Sequence, residues 1–393
     1  MTFSPLSRRL MPLFIAKFLL NLVFWYAIEK LFMTTIGFDY ATIGLMAAVY
    51  SIVSVGMEIP SGILADRWSR KGVMVLAAIS LMLSGLLGWL SYGIPLFLVA
   101  AIFWGFFDAF ASGTSDSMVY DTLLEEQGNA DNYEKVLGWF SAVGGVALVI
   151  SAVAGGIIGD SMGLRDSFLW SVVPALMAVV FLLNFRDTKF HKELIDTHIV
   201  THTKNTFSSV FRNPNLIWVL VSLLSMIVIG GINGEMYQTW YIALGSDTAL
   251  YGIAGALILS TFGIGGVFTK FFISKRRIAI GMTVVLVSAI IIGLVRDFWT
   301  IVAAQFFIGF MSYTLMLNLT AQLHRQLPSQ YRAGAGSVVN TVGRLVFSPL
   351  ALLFGWLSLT SSVFTAGWLL VVLAGIGLMS EFFAKDNGIN HAT

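Results

Sequence analysis

GILADRWSRKG, residues 62–72, sets four formal charges within six positions of a chain that is otherwise apolar. Across the 393 residues, 57% are hydrophobic and only 11% are Asp, Glu, Lys or Arg. Mean hydropathy is +0.84. A soluble domain lacks the interior to hide so much apolar surface. Crossing about 30 Å of hydrocarbon takes roughly 20 apolar residues, and runs of that kind flank the charged stretch on both sides. Residues 62–72 therefore read as a loop between two membrane helices, and the chain as an all-α membrane protein.

Working outward from that loop, twelve apolar segments can be marked. They run approximately 10–33, 41–62, 73–92, 95–120, 136–158, 166–186, 214–241, 249–272, 279–295, 298–322, 334–357 and 362–383. Helices are expected, because a spanning segment must satisfy its own backbone groups. The alternating ten-residue pattern of a β-barrel is missing. The basic start MTFSPLSRRL leads into a long run with no small-residue cleavage site, so it reads as a first span rather than a signal peptide. With no cysteine, disulfides and thiolate metal sites are excluded.

Basic residues set the orientation. One set of loops holds nearly all of them, including Arg8, Arg9, Arg67, Arg70, Lys71, Lys275, Arg276 and Arg277; the other set holds only Arg165 and Arg296. The positive-inside rule then expects both termini in the cytoplasm of a cell (inner) membrane. The longest connection divides the chain into an N-terminal six-helix bundle (1–187), a cytoplasmic linker (188–212) and a C-terminal six-helix bundle (213–393). One fixed offset supports a repeat, laying Gly62 on Gly266, Gly105 on Gly309 and Asp108 on Ser312. His191, His198 and His202 cluster in the linker but lack supporting ligands, so a solvated linker is expected there and no metal.

A charge at mid-membrane costs about 2.5–3.5 kcal/mol on insertion scales, so each such residue asks for a reason. Lys17, Glu29, Lys30, Glu58, Asp108, Asp116, Glu235 and Arg344 are the candidates. Many share a spacing of four that puts them on one helix face. Lys17, Asn21, Trp25 and Glu29 form one such stripe; Asp108, Ser112 and Asp116 a second; Asn233, Tyr237 and Tyr241 a third. Thr314, Asn318 and Gln322 repeat the spacing, as do Asn340, Arg344 and Ser348. Polar stripes on several helices imply a wet central cavity. Hydrogen-bond glue between helices is the competing reading for the neutral residues, and permanent ion pairing with Lys17, Lys30 or Arg344 for the acids.

Gly62, Asp66, Arg67, Arg70 and Lys71 resemble the signature loop of the major facilitator superfamily, G-x-L-A-D-R-x-G-R-K, with only Ser69 departing from it. The resemblance implies a latch, in which Asp66 docks at the N-terminus of helix 11 and bonds its neighbouring basic residues. The positive end of a helix dipole suits that anion. The second copy, GVFTKFFISKRR (266–277), has lost the aspartate and keeps a topogenic role. Glu58-Ile59-Pro60-Ser61-Gly62 and SDSMVYDTL (115–123) resemble a bacterial branch rich in drug exporters. Two features of exporters are absent: Ala101 stands where an arginine is usual, and the G-P-x-x-G-G of helix 5 reads Ser151-Ala152-Val153-Ala154-Gly155-Gly156.

The resulting expectation is a secondary transporter, not an enzyme, working by alternating access of two six-helix bundles. It would export a small amphiphilic or cationic organic solute in exchange for protons, with Asp108 the first proton carrier and Glu29 the second. One proton descending 100 mV supplies about 2.3 kcal/mol, enough for a roughly fifty-fold solute gradient. Trp25, Tyr26, Asn21, Asn233, Tyr237, Trp240, Tyr241 and Asn318 are the expected solute contacts, through stacking and cation–π attraction. Trp240 and Tyr241 read equally as an interfacial aromatic belt. A narrow-specificity metabolite or nutrient transporter on the same fold is the alternative. No cofactor beyond the proton, no nucleic acid and no partner beyond solute and bilayer are expected, and function as a monomer is.

Overall fold

The structure, a computed structural model, describes residues 5–188, 214–326 and 329–383. The linker expected at 188–212, with its three histidines, lies outside these residues apart from Thr188. Everything described is helix or short connection, and eleven helices are long and apolar enough to cross a membrane. Contacts group the described residues into two compact units. Unit one takes residues up to 188 together with Gly245–Ser260; unit two takes 214–244 and 261 onward.

Unit one contains α1 (Pro5–Leu20), α2 (Glu29–Thr35), α3 (Tyr40–Arg67), α4 (Arg70–Leu90), α5 (Ile94–Ala111), α6 (Thr114–Gln127), α7 (Tyr133–Ser161) and α8 (Asp166–Asn184). Two of its segments depart from the continuous spans expected. The first apolar segment is broken between Asn21 and Ile28, which is why eleven candidate spans stand where twelve segments were marked. Its run Val23-Phe24-Trp25-Tyr26 is β-branched and aromatic, so it resists winding only weakly less than it accepts it. Neighbouring helices decide the outcome, as described below. The fourth segment is jointed at Gly113, whose φ of +69° only glycine adopts without strain. Beyond the joint, α6 carries Asp116, Asp121, Glu125 and Glu126.

Helices in a membrane gain little from hydrophobic burial against one another, so close packing and buried hydrogen bonds hold them. Gly156 and Gly252 meet backbone to backbone: a Cβ on Gly156 would lie 2.6 Å from the Gly252 Cα. This contact explains why residues 245–260 group with unit one. Ala27, Ala152, Ala256 and Leu259 form a small core beside it.

A tight turn leads into α3, where Asp39 and Thr42 form a capping box: Thr42 N–H donates to Asp39 Oδ1 at 2.8 Å and Asp39 N–H to Thr42 Oγ1 at 2.8 Å. These bonds, the Thr42 backbone N–H first, hold the Asp39 carboxyl below the usual aspartate range. A carboxylate with a depressed folded-state pKa stabilises above its unfolded value and loses that contribution as pH falls through the folded one. Asp39→Ala should therefore lower thermal stability at pH 7, and the difference from the parent should shrink as pH falls through the ordinary aspartate range toward the lowered folded-state value. Melting curves in detergent across pH 3–8 check this; a difference that persists undiminished at the acid end would contradict it.

Unit two contains α9 (Pro214–Ala243), the end of α10 (Thr248–Phe268) with a 3-10 turn at Thr269–Phe271, α11 (Lys275–Leu294), α12 (Phe298–Gln326), α13 (Ser329–Thr360), α14 (Val363–Ala366) and α15 (Trp368–Phe383). Its interior is pinned by polar groups between helices. Ser222 and Ser380 share a hydrogen bond of 2.7 Å, and Thr314 donates to the Gly265 carbonyl at 3.1 Å.

Candidate functional site

Unit one brings an acid, a hydroxyl and an aromatic chain together. Ser54 on α3 donates to Asp108 Oδ2 on α5 at 2.5 Å. Gly105 makes this closeness possible, since a Cβ there would lie 2.8 Å from the Tyr50 carbonyl oxygen. One turn before Asp108 stands Trp104, which touches Trp25 (centroids 6.0 Å), Tyr26 (6.2 Å) and Phe107 (5.2 Å). Asp108, Trp104, Tyr26 and Phe107 are all half-buried, so this edge of the unit is accessible. Glu58 lies one turn beyond Ser54, and Ser61 donates to the Glu58 carbonyl at 2.9 Å and to the Ala109 carbonyl at 3.0 Å.

The other charges expected in a cavity have specific neighbours. Lys30 is buried and ion-paired with Glu29. Lys17 lies 5.2 Å from the Phe140 ring centroid and interacts electrostatically with Asp116. Asp116 accepts from the Ser115 hydroxyl at 3.1 Å. The Asn21 amide donates to the Lys17 carbonyl at 2.7 Å, closing off the end of α1. Asp108 stands one helical turn from Trp104 and its aromatic neighbours.

Four rings expected on a solute-facing wall are instead packed interior, which corrects the reading from helix spacing. Trp25 is 3% exposed and stacks on Phe168 with centroids 5.0 Å apart. Tyr237, Trp240 and Tyr241 are each 0% exposed. Trp240 packs on Phe354 and Tyr241 on Phe298, so the interfacial-belt reading fails as well. Tyr241 donates to Gln305 Oε1 at 2.6 Å, Gln305 Nε2 to the Tyr237 carbonyl at 3.3 Å, and Asn233 Nδ2 to the Gln305 carbonyl at 3.1 Å. Asn318 is a joint pin, donating to the Thr269 carbonyl at 2.7 Å. Glu235 and Arg344 are half-buried. Spacing shows which residues share a face, but not whether that face meets solvent or a neighbouring helix.

At the basic end of unit one the signature loop forms a charge network. Arg70 pairs with Asp121 of α6 and, at 3.5 Å, with Asp66 four residues before it. Asp66 and Arg67 are exposed. Lys71 donates to the Leu183 carbonyl at 2.7 Å. Nothing lies within 4 Å of a Cβ built on Gly62. Ser69, the one departure from the signature, is the N-cap of α4: it accepts from Gly72 N–H at 2.9 Å and donates to Asp187 at 2.5 Å. Serine caps a helix better than glycine, so the departure has a structural reason. Arg9 grips Glu125 at 2.7 Å and Glu126 at 2.5 Å.

Sequence reasoning missed Trp104, Asp121, Glu125, Glu126, Gln305 and the buried Glu381. The signal for the α6 acids was present: a row of carboxylates running into a basic membrane face asks for arginine partners. Among the described residues no cluster of three or more His, Asp or Glu is placed to hold a metal.

Apolar helices long enough to cross a membrane thus carry ionisable groups inside their spans and a charged junction between α3 and α4. The sequence profile of the Major Facilitator Superfamily matches residues 10–351, and the chain belongs to that family. It is 24% identical over 375 residues to Multidrug resistance protein 2 of Bacillus subtilis (strain 168), covering 91% of this chain and 90% of that one. It is 22% identical over 328 residues to Multidrug resistance protein MdtG of Salmonella arizonae, covering 78% and 79%. In fold it resembles the crystal structure of nucleoside transporter NupG, with a TM-score of 0.75 and 15% identity over 97% of this chain and 98% of the other. The chain is accordingly a multi-pass membrane transporter of this superfamily.

Proposed function

We propose that this transporter exports a small amphiphilic or cationic organic solute in exchange for protons, by alternating access of its two bundles. The observation that carries the reading is the Asp108–Ser54 hydrogen bond set beside the accessible Trp104 and Tyr26 rings. A carboxylate next to aromatic faces attracts an organic cation by charge and by cation–π contact. The same carboxylate takes up a proton when the cation leaves, so one group supports both halves of an exchange. The likeness to two multidrug resistance proteins over most of each chain agrees with this substrate class. Asp108 is the coupling acid; Glu29, held by Lys30, and Asp116, beside Lys17, tune the unit's charge. An inner-membrane location with both termini in the cytoplasm follows from the basic loops.

The test is transport of a fluorescent cationic dye into inside-out vesicles, energised and then treated with a protonophore. Accumulation that collapses with the protonophore is the expected result. Absence of accumulation with cationic dyes, together with saturable uptake of a neutral metabolite, would favour a narrow-specificity carrier instead.

In this account Asp66 is part of a latch between the bundles. Asp66→Asn should lower the dye transport rate about tenfold while expression and insertion stay intact, a loss equal to roughly 1.4 kcal/mol of barrier. Unchanged rates in proteoliposomes would remove the latch.

A further inference from the structure

The break in the first membrane segment is built by two residues far away in sequence. Between α1 (Pro5–Leu20) and α2 (Glu29–Thr35), the Phe24 N–H leaves the helical ladder and donates to the Ser171 hydroxyl of α8 at 2.8 Å. Ser171 is 2% exposed and donates in turn to the Ser167 carbonyl at 2.8 Å. On the opposite side, the Phe24 carbonyl enters the space left by Gly155 of α7, where a Cβ would lie 1.8 Å from the Phe24 oxygen. Even alanine cannot occupy that position without displacing the backbone of residue 24. Gly155 is thus one glycine of the degraded helix-5 signature with an assignable task.

Within this unwound stretch Trp25 is buried against Phe168 while its neighbour Tyr26 stays half-buried against Trp104. An uninterrupted α-helix turns about 100° per residue and would satisfy the Phe24 N–H internally, leaving Ser171 unused. We propose that Gly155 and Ser171 are positioning residues for the solute site: they hold the first segment unwound so that Tyr26 reaches Trp104 beside Asp108. The inference rests on the solute site proposed above. Neither residue touches the solute; both act through residues 24–26.

The experiment measures binding of tetraphenylphosphonium to the full-length protein in detergent, with transport kinetics in proteoliposomes. Ser171→Ala removes the acceptor for Phe24 N–H with little change in volume. It should weaken binding and raise KM about tenfold, the effect of one lost buried hydrogen bond, with the maximal rate within about twofold. Ser171→Thr keeps the hydroxyl and should restore affinity. Gly155→Ala should weaken binding further; because its Cβ also pushes on the Phe24 backbone and strains the fold, the serine pair decides. In a Trp104→Ala background, Ser171→Ala should cost no additional affinity, since the partner it positions Tyr26 against is gone.

Wild-type affinity in Ser171→Ala alongside weakened binding in Trp104→Ala would overturn the positioning role and leave the site standing. So would an equal, additive loss from Ser171→Ala in both backgrounds. Wild-type affinity in Trp104→Ala, or no binding by the parent protein, would overturn the site and this proposal together.

Discussion

Asp108→Asn should abolish protonophore-sensitive dye accumulation while leaving dye binding measurable. The amide keeps the shape of the carboxyl and can still accept from Ser54, whose hydroxyl lies 2.5 Å from Asp108 Oδ2. It can no longer exchange a proton or offer a full negative charge to a cation. A monovalent cation traded for one proton moves no net charge and is driven by the pH difference alone, so loss of the exchange should lower the steady-state gradient about tenfold per pH unit imposed, to equilibration. Counterflow of dye between loaded and unloaded vesicles needs no net proton movement and should survive. If Asp108→Asn accumulates dye like the parent, another acid couples transport, and Glu58, one turn from Ser54 on the facing helix, becomes the first to replace.

The second large effect is expected at Arg70. Its guanidinium pairs with Asp121, whose side chain is only 7% exposed, and with the exposed Asp66. Removing one partner of a buried pair leaves the other charge less compensated, at a cost of up to about 3–5 kcal/mol. Arg70→Ala should therefore depress the melting temperature of the detergent-solubilised protein strongly. Replacing both partners with apolar residues, Arg70→Met with Asp121→Leu, should recover most of that loss because the charge left behind, Asp66, is exposed to solvent. Transport by the recovered protein should stay impaired, since Asp66 has lost its basic neighbour. A melting temperature for Arg70→Ala equal to the parent's would show that Asp121 is held by other groups and that this pair is dispensable.

Much of the fold was legible because bilayer physics writes it in long apolar runs. GILADRWSRKG sits at the junction of two helices as expected, but the loop itself is only Trp68 and Ser69: residues 62–67 end α3 and residues 70–72 open α4. Its Ser69, a mere departure at the level of the motif, turns out to cap the second of those helices. The broken first segment was not legible, because its cause is not local. Phe24 N–H finds Ser171 at a separation of 147 residues, and its carbonyl depends on a glycine in a different helix.

The proposed solute site was half legible for a related reason. Asp108 and Tyr26 were identified by cost and type, while Trp104 was overlooked among the eleven tryptophans of an aromatic-rich chain. Tyr237 and Tyr241 share a polar stripe with Asn233, yet that stripe faces Gln305 rather than an opening. Periodicity fixes a face; only packing tells what the face meets.

The measurement that tests the central claim most directly is solute-driven proton movement in sealed proteoliposomes carrying a pH-sensitive dye. An imposed gradient of tetraphenylphosphonium, with membrane potential clamped by potassium and valinomycin, should drive protons in the opposite direction. The Asp108→Asn protein should show none of that movement. Solute flux through the parent protein with no accompanying pH change would contradict proton exchange at Asp108 and leave a uniporter on the same fold.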